Sequence, residues 1–251
     1  MEQLAVILSV YHKEKAKYLE EALASIFNQT MVPQDVVLVK DGPLTKELEK
    51  VIGQFEAKHH MLRVISLEKN EGLAHALNIG IKATNANYIA RMDTDDISQI
   101  DRFEKQFNFL KSNPDIDCIG TWAIEIQADG KEFFKKQMPL THEECRNFYM
   151  RRNPMIHPTV MFRRRYFEKA GLYPENTYQE EDTMLWANGF KNGCRFANMP
   201  EYLYKFRIDN DFFSRRKGLR FAKDTFMLRH KIRKMLNFPL KADFYALLFV
   251  I

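Results

Sequence analysis

Short apolar runs alternate with helical patterns along the first hundred residues. The runs at 4–10, 36–39, 62–67 and 87–90 predict strands, because apolar runs of this length suit strands buried on both faces. Apolar residues at helical spacing separate these runs. Strands that alternate with helices form a parallel sheet covered on both faces, with right-handed crossovers. The sequence therefore predicts an α/β fold with a mostly parallel, doubly wound sheet.

Polar side chains follow three of the predicted strands. Ser9 and Tyr11 lie at the end of the first, Asp41 follows the second, and an acidic cluster at 93–96 follows the fourth. Ligands of doubly wound sheets bind outside the carboxyl ends of the strands. We therefore expect one ligand site on this rim, although Asp41 before Gly-Pro is also a common turn residue.

The acidic cluster has two interpretations. Asp93, Asp95 and Asp96 repel one another unless a cation or hydrogen-bond donors offset their charge. A hard divalent ion that carries a diphosphate takes oxygen ligands of this kind. The same residues also fit an acidic turn before a helix capped by Ser98, with Ile100 on the apolar face. Alone, the cluster leaves both interpretations open.

The second half of the chain is less regular. Patterns predict strands at 117–126, 159–162 and 202–207, and a helix at 181–193 that ends at a glycine. We find no internal repeat, low-complexity tract or clean linker. A length of 251 residues therefore suits one domain with appendages.

A basic tail dominates the charge distribution. The net charge is +5, yet residues 214–236 contain nine Lys or Arg against one Asp, which is +8 and leaves −3 elsewhere. Apolar residues are interspersed among these charges, as in amphipathic helices that rest on anionic lipid. A solvated charged face packed on the domain is the alternative. Nucleic-acid binding has least support, because no recognised binding fold accompanies the charges.

The sequence lacks the motifs that identify several classes of protein. The chain has no GxGxxG dinucleotide motif, no GxxxxGK[ST] loop and no GxSxG elbow. Three widely spaced cysteines without paired ligands predict reduced thiols and no structural zinc; they are Cys118, Cys145 and Cys194. The start lacks the basic region of a signal peptide, and no apolar run reaches the length of a membrane span. We expect a cytoplasmic protein.

Several motifs occur in a fixed order along the chain. They include Ser25-Ile-Phe-Asn-Gln-Thr30, Asn70-x-Gly-Leu, Asp93-Thr-Asp-Asp96, Asp101-Arg-Phe and Glu181-Asp-x-x-Leu-Trp186. This order resembles the family-2 inverting glycosyltransferases over roughly residues 3–210. Bacterial enzymes of exopolysaccharide, capsule, O-antigen or lipooligosaccharide synthesis are the members that it resembles most. The resemblance implies the GT-A fold over 1–212, with a nucleotide-binding half (1–98), an acceptor half (99–212) and a basic amphipathic extension (213–251).

The resemblance also implies which residues bind the sugar nucleotide. The implied donor-binding residues are Ser9, Tyr11, Asp41, Asn70 and Asp93. Ser9 and Tyr11 would line the base and ribose pocket, and Asp41 would accept hydrogen bonds from a uracil edge. Asp93 would lie beside the ribose and the metal.

A metal site follows from the same resemblance. Asp95 would be the chief ligand of Mn²⁺ or Mg²⁺, with Asp93 beside it. Many relatives carry Tyr-Arg-x-His on the last strand of the core, whereas this chain has Phe-Arg-Ile-Asp at 206–209. Asp209 would then be the further oxygen ligand, or the third protein contact is missing.

For catalysis the resemblance implies Asp182 as general base, with Glu181 beside it in the acceptor site. The chemistry agrees, because the attacking sugar hydroxyl must lose a proton to a group within hydrogen-bond reach. A carboxylate is also favoured at a helix start by the helix dipole alone. His157 and Trp186 would lie near the acceptor, and core packing is an equal alternative for Trp186.

These expectations combine into one predicted activity. The chain should transfer a hexose, specifically galactose, from a UDP-sugar to a growing, lipid-linked bacterial surface glycan at the inner face of the membrane. A sugar nucleotidyltransferase is one alternative, but it needs a glycine-rich loop where this chain has none at 9–12. A non-catalytic sugar-nucleotide-binding protein is the other, although Asp95 and Asp182 are both present.

Overall fold

The structure is a computed structural model that describes residues 2–177, 180–208 and 219–250, except the side chains of 219–221 and 249–250. Its strands are β1 (Leu4–Val10), β2 (Asp35–Lys40), β3 (Leu62–Ser66), β4 (Tyr88–Arg91), β5 (Ile97–Ser98), β6 (Cys118–Ile126), β7 (Glu132–Lys136), β8 (Met161–Arg163) and β9 (Phe196–Arg207). They form one sheet in the order β3-β2-β1-β4-β8-β6-β9-β5, and β7 pairs with β6.

The helices of the described residues cover this sheet. They are α1 (Ala16–Phe27), α2 (Lys46–Glu56), α3 (Leu73–Ala83), α4 (Arg102–Ser112), α5 (His142–Tyr149), α6 (Arg164–Ala170), α7 (Glu181–Lys191), α8 (Leu219–Met235) and α9 (Lys241–Val250), with a 3₁₀ turn at His157–Thr159. Within the ranges described, none of the helices combines the length and the apolar character that crossing a bilayer requires.

The predicted α/β class with a mostly parallel, doubly wound sheet is confirmed. Strand β1 runs parallel to β2 and β4, and β6 runs parallel to β9. Side chains of β1 alternate between two cores, with Leu8 in the first and Ile7 in the second. Helix α3 lies directly on β1, because a Cβ added to Gly80 would come within 2.5 Å of Ile7 Cγ2.

Strand β8 departs from the parallel pattern, since it pairs antiparallel with both β4 and β6. The strand predicted at 159–162 is a 3₁₀ turn followed by β8, and β9 begins six residues before the predicted start at 202. The sequence patterns did not predict α5, α6 or β7. All of β7 except its last residue is exposed, so it lacks the apolar alternation that marks a strand.

The predicted helix cap at Ser98 is wrong. Helix α4 begins at Arg102, and Ser98 instead pairs with Tyr204 of β9. The Ser98 hydroxyl accepts a hydrogen bond from Arg102 Nη1 at 2.9 Å, which keeps it inside the loop. Ile100 is 61% exposed rather than on the apolar face, whereas Phe103 is buried.

The C-terminal helices pack on the domain. Ile232, Leu236 and Phe238 are buried in the second core, together with Leu185 and Trp186 of α7. The described part of the predicted extension therefore shares a hydrophobic core with the acceptor half. The domain boundary at 212 stays a prediction.

Candidate functional site

The rim begins where β1 meets the acidic loop 93–96. Because β1 and β4 are parallel neighbours, their carboxyl ends lie side by side. Thr94 Oγ1 lies 3.3 Å from the backbone carbonyl oxygen of Ser9, which places the two segments in contact. Tyr11 is partly buried just beyond, with its ring edge-on to His12. The structure thus brings the first and fourth strand ends together.

Asp41 holds the start of helix α3. Its two carboxylate oxygens accept from the backbone N–H groups of Glu71 at 2.7 Å and Gly72 at 3.0 Å, and the residue is 3% exposed. The Asn70 side chain donates to the Asp41 carbonyl at 3.3 Å. Gly42 has φ +89°, and a Cβ there would lie 2.7 Å from the Asn70 nitrogen. Because both oxygens already accept hydrogen bonds, only their remaining lone pairs are available to a ligand, and the contact with uracil stays a prediction.

The acidic loop gathers three carboxylates. Asp93, Asp95 and Asp96 each place one carboxylate oxygen within 4.8 Å of the others. Asp93 is ion-paired with Arg91, whose Nη1 lies 2.7 Å from Oδ2. Asp96 is fully buried and accepts the backbone N–H of Arg207 at 2.6 Å. Its second oxygen has no hydrogen-bond partner among the residues that the structure describes.

The protein offsets only part of the negative charge of this loop. Burial, with the charges of Asp93 and Glu14, raises the pKa of Asp95 to about 8. Burial and the neighbouring Asp95 raise the pKa of Asp96 well above its usual value. A cation would reverse both effects, because it favours the ionised form. Clustered carboxylate oxygens with one buried oxygen lacking a partner fit a hard divalent ion.

Glu14 is a carboxylate of this site that sequence reasoning missed. It follows β1, accepts from Thr94 Oγ1 at 3.0 Å, and has its pKa raised mainly by burial. No motif surrounds it, so the sequence carried no signal for it. Its position adds a fourth negative group beside Asp95.

Two buried arginines hold the acidic loop in place. Arg102 donates to the carbonyl of Arg91 at 2.8 Å and to Ser98 at 2.9 Å, and so joins the two ends of the loop. Burial lowers the pKa of Arg102 to about 10, so it is still charged at neutral pH. Arg207 donates from Nε to the Asp95 carbonyl at 2.7 Å. Both lie in motifs quoted from the sequence, but nothing local indicated these contacts.

A second set of carboxylates lies in the first turn of helix α7. Asp182 accepts from the Thr183 backbone N–H at 2.7 Å and from the Asn153 amide at 3.1 Å. Burial and the adjacent Asp182 raise the pKa of Glu181 to about 7. The charge of Arg91 lowers the same pKa. Arg91 therefore acts electrostatically on Glu181 as well as pairing with Asp93 of the acidic loop.

The two predicted acceptor residues differ in their surroundings. His157 lies 2.7 Å from the Tyr173 hydroxyl, and burial, then Arg91, lowers its pKa well below the usual value. Trp186 is fully buried, with its ring centroid 5.9 Å from that of Phe162. The structure places Trp186 in the core and favours the packing alternative, because none of the ring reaches the surface. Asp209 lies outside the described residues.

Comparisons with known proteins agree with this geometry. The model of the family described as "Glycosyl transferase family 2" matches residues 5–171. The chain is 38% identical over 224 residues to the amylovoran biosynthesis glycosyltransferase AmsE of Erwinia amylovora, covering 89% of this chain and 83% of that protein. It is 31% identical over 221 residues to the UDP-Gal:alpha-D-GlcNAc-diphosphoundecaprenol beta-1,3-galactosyltransferase of Escherichia coli, covering 88% and 79%.

A solved structure supports the fold at lower sequence identity. The mannosyltransferase PcManGT of Pyrobaculum calidifontis, in complex with GDP-Man and Mn²⁺, superimposes with a TM-score of 0.70. The match covers 99% of this chain and 73% of that protein at 17% identity. This likeness extends to the fold alone.

Proposed function

The chain belongs to glycosyl transferase family 2, and we propose that it transfers a hexose from a UDP-sugar, with inversion, to a bacterial surface glycan. One observation carries this proposal: the buried Arg91 is ion-paired with Asp93 of the acidic loop, and its charge also acts on Glu181 beside the proposed base. A diphosphate site and a general base must flank one sugar in such a reaction. Family membership disfavours the sugar nucleotidyltransferase and non-catalytic alternatives.

The donor and acceptor are proposed from the galactosyltransferase relative. That relative is named for UDP-Gal and for a GlcNAc linked through diphosphate to a lipid, at 31% identity. We propose UDP-galactose as donor and a lipid-linked glycan hydroxyl as acceptor. The structural neighbour that binds GDP-Man is only 17% identical in sequence. Its ligand makes GDP-sugars the alternative donors to test.

For the metal we propose Asp95 as chief ligand of Mn²⁺ or Mg²⁺, with Asp93 beside it and Asp209 as a further oxygen. The buried Asp96 oxygen that lacks a partner among the described residues, and the raised pKa of Asp95, support a cation at this place. Such an ion, when bound, offsets the charge that develops on the departing diphosphate. Among the protein groups, Arg102 and Arg207 keep the loop in position for that ligand set.

The base chemistry follows from the surroundings of Asp182. The acceptor hydroxyl gives its proton to the Asp182 carboxylate while its oxygen bonds to the anomeric carbon. The bond from that carbon to the phosphate oxygen breaks, and its electron pair leaves with UDP. Attack opposite the leaving group inverts the configuration. Thr183 and Asn153 each bind one Asp182 oxygen, which fixes the carboxylate and leaves lone pairs for the proton.

The sugar nucleotide is tested first by thermal shift. UDP, GDP, TDP and their sugars are compared with and without Mn²⁺, because a ligand of the native state raises the melting temperature by mass action. We expect a Mn²⁺-dependent shift of about 5–10 °C with UDP at roughly 100-fold excess over its Kd. A larger shift with GDP or TDP than with UDP would mean that the donor is a GDP-sugar or a TDP-sugar instead of a UDP-sugar. No shift with any nucleotide would favour the non-catalytic alternative.

We further propose that the enzyme works at the inner face of the membrane, with the basic tail 214–236 toward anionic lipid. Within its described part, helix α8 exposes Lys223, Lys231 and Lys234. Helix α9 adds an apolar face, since Phe244 and Leu248 are 58% and 57% exposed. Lysines beside exposed apolar side chains suit the lipid–water boundary.

Changing Leu247 and Leu248 together to glutamate should remove the lipid contact. We expect the unchanged protein to sediment with vesicles containing phosphatidylglycerol, and the double variant to bind them on the order of tenfold more weakly. Phe133 and Phe134 are similarly exposed on β7, so the same change there is the matched control. Equal binding by both double variants, or no preference for anionic over phosphatidylcholine vesicles, would contradict the proposal.

A further inference from the structure

Helix α8 reaches the proposed base through a chain of hydrogen bonds. Arg229 Nη2 donates to Asn153 Oδ1 at 2.9 Å, and Asn153 Nδ2 donates to Asp182 Oδ2 at 3.1 Å. Arg229 also donates from Nη1 to the Tyr149 carbonyl at 3.3 Å, which anchors the guanidinium. A residue of the basic tail is therefore two hydrogen bonds away from the carboxylate that takes the proton.

Arg229 and Asp182 together determine which way the Asn153 amide points. A guanidinium has only donors, so the amide oxygen must face Arg229. The amide nitrogen then faces Asp182 and also donates to Thr183 Oγ1 at 2.8 Å. Without the arginine, the amide oxygen would lose its charged donor and keep only the Thr183 hydroxyl, 3.1 Å away. The amide would then hold the Asp182 carboxylate less firmly.

Helix α8 also offsets the charge at the start of α7, where Glu180, Glu181 and Asp182 are consecutive. Burial raises the pKa of Glu180, and the charge of Arg229 acts in the opposite direction. The buried Thr225 hydroxyl donates to Glu180 Oε1 at 3.1 Å. The tail thus supplies both a hydrogen bond and a positive charge to Glu180, the first of these three acids.

We propose that Arg229 and Asn153 are positioning residues for the base, so that helix α8 belongs to the catalytic machinery. The inference rests on the proposed function, because it assumes that Asp182 takes the proton. Asn153 holds one carboxylate oxygen and the Thr183 N–H holds the other, so the plane of the carboxylate is fixed. Loss of that alignment should slow the chemical step and leave donor binding intact.

The test compares variants with UDP-galactose and Mn²⁺, with UDP release as the readout and water as the acceptor. We expect Asn153→Ala and Arg229→Gln to lower kcat by about 10- to 100-fold, with KM for the donor and the UDP thermal shift unchanged. Arg229→Lys should recover part of the rate, because an ammonium also donates to the amide oxygen. Lys191→Gln removes an exposed charge at the far end of α7 and is the matched control.

A second readout needs no turnover. The Asn153 side-chain amide resonances, identified by their loss in Asn153→Ala, should move in Arg229→Gln and Asp182→Asn but not in Lys191→Gln. Unchanged resonances, or an Arg229→Gln rate equal to that of the unchanged protein, would overturn the inference. Loss of the UDP shift together with the rate would also overturn it, since the arginine would then act through folding. An active Asp182→Asn variant would instead reject the proposed base.

Discussion

Replacing Asp182 by asparagine should lower kcat by about 10²- to 10⁴-fold, the range that a positioned general base supplies. The asparagine keeps the shape of the side chain and can still accept the Thr183 backbone N–H. It cannot take up the proton of the acceptor hydroxyl. Binding of UDP with Mn²⁺ should be unchanged, because the proposed donor and metal ligands do not belong to helix α7. Initial rates of UDP release and a parallel UDP titration measure the two effects.

Glu181 provides the control beside this base. Burial and Asp182 raise the pKa of Glu181 to about 7, so below that pH Glu181 is neutral. If Asp182 is the base, the loss of charge on Glu181 near pH 7 should not abolish transfer, and Glu181→Gln should lower kcat by no more than about tenfold. A rate that is lost below pH 7, together with an inactive Glu181→Gln variant, would assign the base to Glu181 instead.

The first half of the fold could be predicted because its signals are local. Strands β1 and β2 are continuous apolar runs, and α1 buries Tyr18, Leu19 and Leu23 at helical spacing. The parallel pairing of β1, β2 and β4 then places their polar ends on one rim. Strand β7 and helix α6 had no such signal, since β7 is exposed and α6 has only seven residues.

The candidate site could be predicted only as far as its motifs reach. The acidic loop and the start of α7 are visible in the sequence, whereas the groups that hold them are not. Asp96 accepts from Arg207, which is 111 residues away, and Asp182 depends on Asn153, which is 29 residues away. Contacts over such separations leave no periodicity in the chain. Arg229 illustrates this, because the sequence shows it only as one of nine basic residues in the tail.

Replacing Asp95 by alanine should have opposite effects with and without metal. Without Mn²⁺ at pH 8.5, the variant should melt at the same temperature as the unchanged protein or about 2–4 °C higher. The folded-state pKa of Asp95 is raised to about 8, so ionising this carboxyl costs stability as the pH rises from its unfolded value through 8. Removing the carboxyl removes that cost.

With Mn²⁺ and UDP the order should reverse. The unchanged protein gains stability from the bound nucleotide, whereas Asp95→Ala lacks the chief proposed ligand and should lose the metal-dependent part of the UDP shift. Asp115→Ala removes an exposed acid beside Arg195 and is the matched control. An Asp95→Ala variant that still binds UDP more tightly with Mn²⁺ would show that the loop acts without this ligand. Asp93 and Asp96 would then be the next residues to substitute, because their carboxylate oxygens lie in the same cluster as that of Asp95.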